Sequence, residues 1–434
     1  MRRDGSRGPL VLRPLRDFLH TEASGGVALL LAAVVALLWA NSPWQDGYHQ
    51  LWSTRIAIEV GGHGIDLDLR HWINDGLMAI FFFVVGLEIK RELVEGELRD
   101  PRRAALPAIA AVGGMVAPAL IYAAFNAGGA GSSGWGIPVA TDIAVAVGVV
   151  SVLRSAVHPA LKLFLLALAI VDDIGAIAII AVFYSDGVAW RALIVAVALL
   201  GIVVACRAAG VRAIGLYVVL GVAVWLAVHE SGIHATITGV ALGLLTPTRP
   251  FERRELIDET ELLDVSTVAH ARQTADMARG SVSVVEWLEH RLHPWSSLAI
   301  VPLFALANAG VPISADALST AWSSPITHGV VVGLVVGKVV GITAFTWLAV
   351  RLRMGALPDG VAWRQVVGIG AVAGIGFTVA LFVTGLALDD DPALQDEAKI
   401  GILAASTVAG VGGALLLRRA ARHASDPPPG NLSP

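Results

Sequence analysis

Residues 160–184 read ALKLFLLALAIVDDIGAIAIIAVFY, a long apolar run interrupted near its middle by two adjacent acids, Asp172 and Asp173. A helix needs about 20 mostly apolar residues to cross a membrane, and this run is long enough. Each charged residue in the middle of such a helix costs roughly 2.5–3.5 kcal/mol on insertion scales. The stretch therefore predicts a transmembrane helix whose two acids have a function.

The composition of the whole chain is typical of a membrane protein. Of its 434 residues, 56% are hydrophobic and 15% are charged, whereas about 25% are charged in ordinary soluble domains. The single cysteine cannot form an internal disulfide. A net charge of −4 gives no reason to expect nucleic acid as a partner. These observations leave a polytopic membrane protein, whose partner is the lipid bilayer.

The apolar runs predict an all-α polytopic membrane protein with about twelve transmembrane helices, because the runs are long and show no alternation of ten-residue strands. The predicted spans lie near 22–40, 72–92, 104–125, 135–153, 160–184, 189–206, 213–228, 231–246, 295–311, 328–350, 365–388 and 398–417.

The basic residues predict the orientation of the chain. Lysine and arginine concentrate in the loops on the side of the N-terminus, so both termini are predicted to be cytoplasmic. The predicted organisation is a cytoplasmic segment at 1–21, a transmembrane domain at 22–418 and a disordered tail at 419–434. Within the domain, alternating apolar residues around a glycine-rich turn predict an outer β-hairpin at 54–69. The charged stretch 249–294 is predicted to be a cytoplasmic loop with a helical end.

Two predicted spans contain helix-breaking residues at corresponding places. Glycines and a proline precede Thr141 and Asp142 in the fourth span, and four glycines precede Thr378 in the eleventh. An interior glycine costs a helix roughly 0.5–1 kcal/mol. Since the two spans run in opposite directions, they predict inverted repeats with two interrupted helices. Asp142 can neutralise the positive end of a half-helix or bind the ion directly, and both roles stay open.

The acid pair predicts a site for cations and protons. Two carboxylates this close cannot both ionise comfortably without a cation, so one of them takes a proton or a metal ion. Sodium is a hard ion that prefers oxygen ligands. Asp172 and Asp173 are therefore the predicted Na⁺ ligands and the site of proton exchange.

Lys338 is a third charged residue in an apolar span. It needs an anionic partner, either a carboxylate or the carbonyl end of an interrupted helix. We expect an ion pair with Asp172 that sodium releases, and a purely structural role is the alternative.

A second group of titratable residues is predicted at the ends of helices. Its members are spaced for pairing along a helix face and form either a pH-responsive cluster or ordinary solvated ion pairs. They are Glu88, Arg91 and Glu92 after the second span, and Glu289 and His293 before the ninth. His234, near the outer end of the eighth span, fits a packing residue better than a sensor.

The chain contains no P-loop, nucleophile elbow, dinucleotide fingerprint or metalloenzyme spacing. It is therefore expected to be a secondary transporter without a cofactor, driven by ion gradients, and not an enzyme. A sodium-coupled solute symporter would need an additional polar pocket for its solute. A cation channel or a non-transporting sensor would need a wet pore, and adjacent acids in a sealed apolar helix argue against one.

Several segments resemble the NhaA family of bacterial Na⁺/H⁺ antiporters, in the same order and over roughly residues 15–420. They are WINDGLMAIFF at 72–82, VGLEIKREL at 85–93, PVATDIA at 138–144, AIVDDIGAI at 169–177, HAT at 234–236, LHPW at 292–295, FALANAG at 304–310, GK at 337–338 and GIGFT at 374–378.

The resemblance implies a function and roles for individual residues. Members exchange Na⁺ or Li⁺ for more than one proton, electrogenically, across the bacterial inner membrane, and they are activated at alkaline pH and serve sodium and pH homeostasis. By resemblance Asp173 is the principal ion-binding carboxylate, and Asp172 is the second and pairs with Lys338. Thr141 and Asp142 match the crossing of the interrupted helices.

The resemblance also implies pH-response positions at Glu88, Arg91, Glu289, His293 and His234. It implies a homodimer formed through the 54–69 hairpin. One departure is the loop at 249–285, which is longer and more charged than expected.

Overall fold

The computed structural model describes residues 12–60, 63–153, 157–185, 187–211, 213–248 and 283–425. Most of the predicted loop 249–294 therefore lies outside the described residues, as do the beginning of the predicted N-terminal segment and the end of the predicted tail.

The first part of the chain contains α1 (Leu12–Ala40), α2 (Gln45–Trp52), β1 (Arg55–Val60), β2 (His63–Asp68), α3 (Leu69–His71), a π-helical turn (Trp72–Leu77), α4 (Met78–Val94), a 3-10 turn (Glu97–Arg99), α5 (Pro101–Asn126), a 3-10 helix (Ser132–Val139), α6 (Ile143–Val152) and α7 (Pro159–Phe183). The second part contains α8 (Trp190–Ala208), α9 (Ile214–Glu230), α10 (Ile237–Leu245), α11 (Val284–Trp295), a π-helical turn (Ser296–Ile300), α12 (Val301–Asn308), α13 (Ala315–Ser323), α14 (Pro325–Val332), a π-helical turn (Gly333–Gly337), α15 (Lys338–Arg351), α16 (Trp363–Val372), α17 (Phe377–Ala387) and α18 (Pro392–Ser425).

The chain divides into two compact units. The larger unit comprises the described parts of Met1–Ile73, Asp100–Tyr184 and Ser297–Pro434. The smaller unit comprises the described parts of Asn74–Arg99 and Ser185–Ser296.

The helices confirm the prediction of a polytopic helical membrane protein. Within the described residues, seven helices are long and apolar enough to cross a membrane, and there are up to nine spans if each of two bent pairs is one span. One bent pair is Ser24–Ala40 with Gln45–Trp52, at 117°. The other is Trp363–Val372 with Phe377–Ala387, at 49°, which is one of the two predicted interrupted helices.

Three of the twelve predicted spans lie on helices that do not meet this test. Ile214–Glu230 has 17 residues and Ile237–Leu245 has nine. The predicted ninth span begins at the end of the polar helix Val284–Trp295. The predicted span 213–228 coincides with the single helix Ile214–Glu230, whereas the predicted span 231–246 joins the nine-residue helix Ile237–Leu245 to the non-helical residues 231–236.

The first and last helices extend beyond the predicted spans. α1 begins at Leu12, and α18 continues to Ser425. The helix thus includes 419–425, which we expected to be part of a disordered tail. Arginine and alanine are good helix formers, so the polar sequence after the apolar run continues the helix.

The predicted β-hairpin is confirmed. β1 and β2 pair antiparallel, with Arg55 opposite Asp68 and Val60 opposite His63. An exposed ion pair of 2.9 Å joins Arg55 to Asp66.

Glycines bring helices into close contact in each unit. In the larger unit, a side chain at Gly341 in α15 would overlap the carbonyl oxygen of Gly113 in α5. In the smaller unit, a Cβ at Gly243 in α10 would lie 2.8 Å from the carbonyl carbon of Gly86 in α4. Small residues let the backbones of membrane helices approach closely. The contact in the larger unit fixes the helix that begins with Lys338.

Candidate functional site

The two interrupted helices cross in the larger unit. The chain between the 3-10 helix and α6 is extended, and the chain between α16 and α17 is also non-helical. The backbone N–H of Asp142 donates to the carbonyl of Ile375 at 2.6 Å, and the hydroxyl of Thr141 donates to the carbonyl of Ala373 at 2.9 Å. The residues predicted at the crossing of the interrupted helices therefore make the contacts between them.

The carboxylate of Asp142 accepts hydrogen bonds at the first turns of two half-helices. Its Oδ1 accepts from the N–H of Val145 in α6 at 3.0 Å. Its Oδ2 accepts from the N–H of Thr378 in α17 at 3.0 Å and from the hydroxyl of the same residue at 2.7 Å. Both helix ends carry partial positive charge, which one buried carboxylate offsets.

Lys338 lies beside this crossing and is completely buried. Its ammonium donates to the carbonyl of Val139 at 2.5 Å, to the hydroxyl of Thr141 at 2.9 Å and to Oδ2 of Asp172 at 2.8 Å. The expected ion pair is present, and the carbonyl end of an interrupted helix is a second partner. The lysine thus links the crossing to α7.

The acid pair lies on α7 within the same unit. Asp172 is fully buried, and Asp173 has 9% of its surface exposed. Within the described part of the chain, Oδ1 of Asp172 is buried without a hydrogen-bond partner. A buried carboxylate oxygen without a partner is costly. This oxygen is therefore available to a proton or to a cation.

The smaller unit brings together the five predicted helix-end residues. Arg91 forms ion pairs with Glu289 and, at 3.7 Å, with Glu92. Nε2 of His293 lies 3.5 Å from Oε1 of Glu88. Burial raises the pKa of Glu289 above its ordinary value of 4.5, although the charges of Arg91 and His293 act in the opposite direction. Glu289 and His293 are buried in this cluster, whereas Glu88, Arg91 and Glu92 are partly exposed.

His234 lies apart from this cluster. It precedes α10, and Gly239 of α10 approaches Ala79 near the beginning of α4, whereas Gly243 approaches Gly86 further along. The two helices are therefore parallel. His234 lies at the end where α4 begins, more than three turns from Arg91.

Two residues at the site, Thr378 and Tyr184, were given no role by the sequence analysis. Thr378 ends the GIGFT segment but was given no role, although it donates twice to Asp142. Tyr184 donates to the carbonyl of Ser133 at 2.8 Å and accepts from the N–H of Gly136. Nothing in the sequence pattern indicated that a tyrosine at the end of a span contacts an interrupted helix.

Comparison with known proteins assigns the chain to a family. The family model described as Na⁺/H⁺ antiporter 1 matches residues 16–417. A protein of Rhodopirellula baltica named Na(+)/H(+) antiporter NhaA is 47% identical over 94% of this chain and 94% of its own length. Na(+)/H(+) antiporter NhaA 3 of Frankia alni is 45% identical over 95% and 90%, respectively. Na(+)/H(+) antiporter NhaA 2 of Syntrophotalea carbinolica is 43% identical over 94% and 97%. The chain belongs to the Na⁺/H⁺ antiporter 1 family.

Proposed function

We propose that this chain is a secondary active antiporter that exports Na⁺ or Li⁺ in exchange for protons. One observation carries the proposal: a fully buried ion pair, Lys338 with Asp172, lies at the crossing of the interrupted helices and leaves one carboxylate oxygen without a partner. The carboxylate of the neighbouring residue Asp173 supplies two further oxygen atoms for a cation or a proton. The family and its relatives' names support the same activity.

Competition for the two carboxylates couples the ions. Without sodium, the ammonium of Lys338 neutralises Asp172, and a proton neutralises Asp173. A sodium ion needs oxygen ligands and brings a single positive charge. When it binds between the carboxylates, the Asp173 proton leaves, and Lys338 releases Asp172. Since protons and sodium occupy the same oxygens, neither is carried together with the other.

We also propose that the exchange is electrogenic, as the resemblance to the NhaA family implies. The site holds two carboxylates, Asp172 and Asp173, and one ammonium, Lys338, for a single monovalent cation. We expect more than one proton to exchange for each sodium ion. Net charge then crosses the membrane in each cycle, and the membrane potential drives sodium export.

The cluster in the smaller unit is the proposed pH sensor. Its ion pairs join Arg91 to Glu289 and His293 to Glu88, so each pair couples a titratable group on α11 to α4. Deprotonation of Glu289 strengthens its attraction to Arg91, whereas deprotonation of His293 removes its attraction to Glu88. Rising pH therefore changes which contacts hold the two helices together, and this change is the proposed basis of activation at alkaline pH.

We place the protein in the bacterial inner membrane, with both termini in the cytoplasm, as a transporter that needs no cofactor. A homodimer through the hairpin is also proposed. Ile56 and Ile58 are exposed on one face of β1, and in the described part of the chain the sheet contains only two strands. An exposed strand edge can pair with a second chain. Cross-linking between copies through a cysteine placed at Glu59 tests this contact.

Exchange is measured in inside-out membrane vesicles from cells without their own sodium–proton antiporters. The vesicles hold an acid interior and a pH-sensitive dye, and NaCl, LiCl or KCl is added. We expect Na⁺ and Li⁺, but not K⁺, to discharge the pH gradient, and Asp172→Asn and Asp173→Asn to abolish the response. Asp316→Asn, at an exposed position, serves as the control. A normal response from inserted Asp173→Asn protein would contradict the proposal.

A further inference from the structure

The hydroxyl of Tyr184 bridges one turn of an interrupted helix. It accepts a hydrogen bond from the N–H of Gly136 at 2.9 Å and donates to the carbonyl of Ser133 at 2.8 Å. Both partners lie in the 3-10 helix Ser132–Val139 and are three residues apart, the spacing at which a 3-10 turn forms its own hydrogen bond. Tyr184 follows directly after α7. Its hydroxyl therefore fastens this half-helix to the end of the helix that carries the acid pair.

The aromatic ring of Tyr184 also makes a contact that holds the side chain in place. Its ring stacks on that of Trp135, with ring centroids 6.3 Å apart and an interplanar angle of 27°. Only 7% of the tyrosine is exposed. From Ser133 the connection continues, because the Ser133 hydroxyl donates to the carbonyl of Ala387 at 2.7 Å. Ala387 is the last residue of α17, so the hydrogen bonds of Tyr184 and Ser133 join α7 to half-helices of both interrupted spans.

The fastened half-helix ends at the lysine site. Its last residue is Val139, whose carbonyl accepts from Lys338, and Thr141, two residues further on, offers its hydroxyl to the same ammonium. Val139 is three residues from Gly136, which is one 3-10 turn or about 6 Å. Of the three oxygens that hold the ammonium, that of Val139 therefore belongs to the half-helix that Tyr184 fixes, that of Thr141 lies two residues beyond it, and the third belongs to Asp172 on α7.

We propose that Tyr184 is a positioning residue of the ion site: its hydroxyl fixes the half-helix Ser132–Val139 against α7, so that Val139 and Thr141 hold the ammonium of Lys338 beside Asp172. This inference rests on the sodium–proton exchange proposed above. In the absence of sodium, the fixed half-helix stabilises the lysine-bound state. Sodium must displace the lysine from Asp172, so the hydroxyl of Tyr184 sets how much sodium that displacement requires.

Tyr184→Phe tests this inference, because it keeps the ring and removes both hydrogen bonds of the hydroxyl. The measurement is the NaCl concentration for half-maximal exchange in inside-out vesicles at fixed pH, with the maximal rate recorded separately. We expect the half-maximal concentration to fall about threefold, the order of magnitude that one net hydrogen bond contributes. The pH of half-maximal exchange should move to lower values for the same reason. A merely structural residue would change the amount of protein or the maximal rate only.

Two further variants make the result specific. Tyr217→Phe is the matched control, because its hydroxyl donates to the carbonyl of Val211 at 2.9 Å in the smaller unit, and it should leave the half-maximal concentration unchanged. Gly136→Ala places a Cβ 2.5 Å from the Tyr184 hydroxyl and should reproduce the effect of Tyr184→Phe. The double variant Gly136→Ala with Tyr184→Phe should lower the half-maximal NaCl concentration by less than the two single effects combined, because both substitutions remove the same contact.

The outcomes separate this inference from the function on which it rests. If wild-type vesicles show no sodium-dependent exchange, the proposed function fails. If the wild type exchanges and inserted Tyr184→Phe protein has an unchanged or raised half-maximal concentration, the positioning role is overturned while the function stands. A lowered value in Tyr184→Phe and Gly136→Ala, together with a wild-type value in Tyr217→Phe, supports the positioning role.

Discussion

The ammonium of Lys338 lies 2.8 Å from Oδ2 of Asp172, and neither side chain is exposed. Both charges have lost their hydration, so each depends on the other and on the oxygens of Val139 and Thr141 around the lysine. Removing one member of a buried pair leaves the other charge without compensation, which typically destabilises a protein by 3–5 kcal/mol, whereas the net value of the intact pair is small.

Lys338→Met should therefore lower the stability of the purified protein by about 3–5 kcal/mol. The measurement is unfolding in detergent, followed by the loss of helical signal. The double variant Asp172→Asn with Lys338→Met should lose clearly less than the two single variants together, because no buried charge is left. Additive losses would show that the two side chains do not depend on each other in the folded protein.

Asp142→Ala should lower the free energy of unfolding by more than the loss of an ordinary helix cap does. The loss of an ordinary cap costs about 0.5–2 kcal/mol. Its carboxylate accepts three hydrogen bonds, one from α6 and two from Thr378 in α17. Asp100→Ala is the control, since Asp100 caps α5 at an exposed position with one bond from the N–H of Arg102 at 3.0 Å. Equal losses of unfolding free energy in the two variants would contradict the double capping role.

Gly341→Ala should lower stability and exchange together. The added methyl group would overlap the carbonyl oxygen of Gly113 and push α15, with Lys338 at its beginning, away from α5. Overpacking of this kind typically costs 1–3 kcal/mol. Gly412→Ala in α18 meets no atom within 4 Å and should be neutral or stabilising, because alanine favours a helix. A Gly341→Ala protein as stable and as active as the wild type would refute the close contact.

Glu289→Gln should reduce the dependence of stability on pH. The pKa of Glu289 is raised by burial, so the folded protein keeps this proton at pH values where the unfolded chain has lost it. The contribution of Glu289 to stability is therefore full below its ordinary pKa of 4.5 and is lost as the pH rises through the raised pKa. Glutamine does not titrate, so this part of the loss should disappear.

The measurement is the unfolding midpoint from pH 4.5 upwards in potassium buffers, for the wild type, Glu289→Gln and Glu286→Gln. Glu286→Gln is the control on the same helix, because Glu286 is exposed. It should reproduce the slope of the wild type. If Glu289→Gln has the same slope as Glu286→Gln, then burial of Glu289 does not couple its proton to folding.

The sequence was sufficient for the helical class, the interrupted spans, the hairpin and the pairing of Lys338 with Asp172. In each case a local sequence pattern indicated the feature. The patterns are an apolar run with a charged residue inside it, glycines before Thr141 and Thr378, and the alternation of apolar and polar residues around a turn. The apolar pattern did not determine helix ends, because α18 continues through polar residues to Ser425. Hydrogen bonds of uncharged side chains to distant segments carried no local signal.

The roles of Thr378 and Tyr184 belong to this last group. Thr378 donates to a carboxylate 236 residues away in sequence, and the hydroxyl of Tyr184 acts on backbone groups of another element. Such partners are set by how the helices cross. The separation of His234 from the titratable cluster has the same origin, since it follows from the parallel packing of α4 and α10.

The central claim, that a cation and protons compete for the carboxylates beside Lys338, is tested most directly by proton release. NaCl or LiCl is added to purified protein in weakly buffered detergent solution at alkaline pH, and the released protons are counted per protein molecule. The account predicts between one and two protons for the wild type, none for Asp173→Asn, and none for either protein with KCl. Cation binding by the wild type without proton release, or undiminished release from folded Asp173→Asn protein, would contradict it.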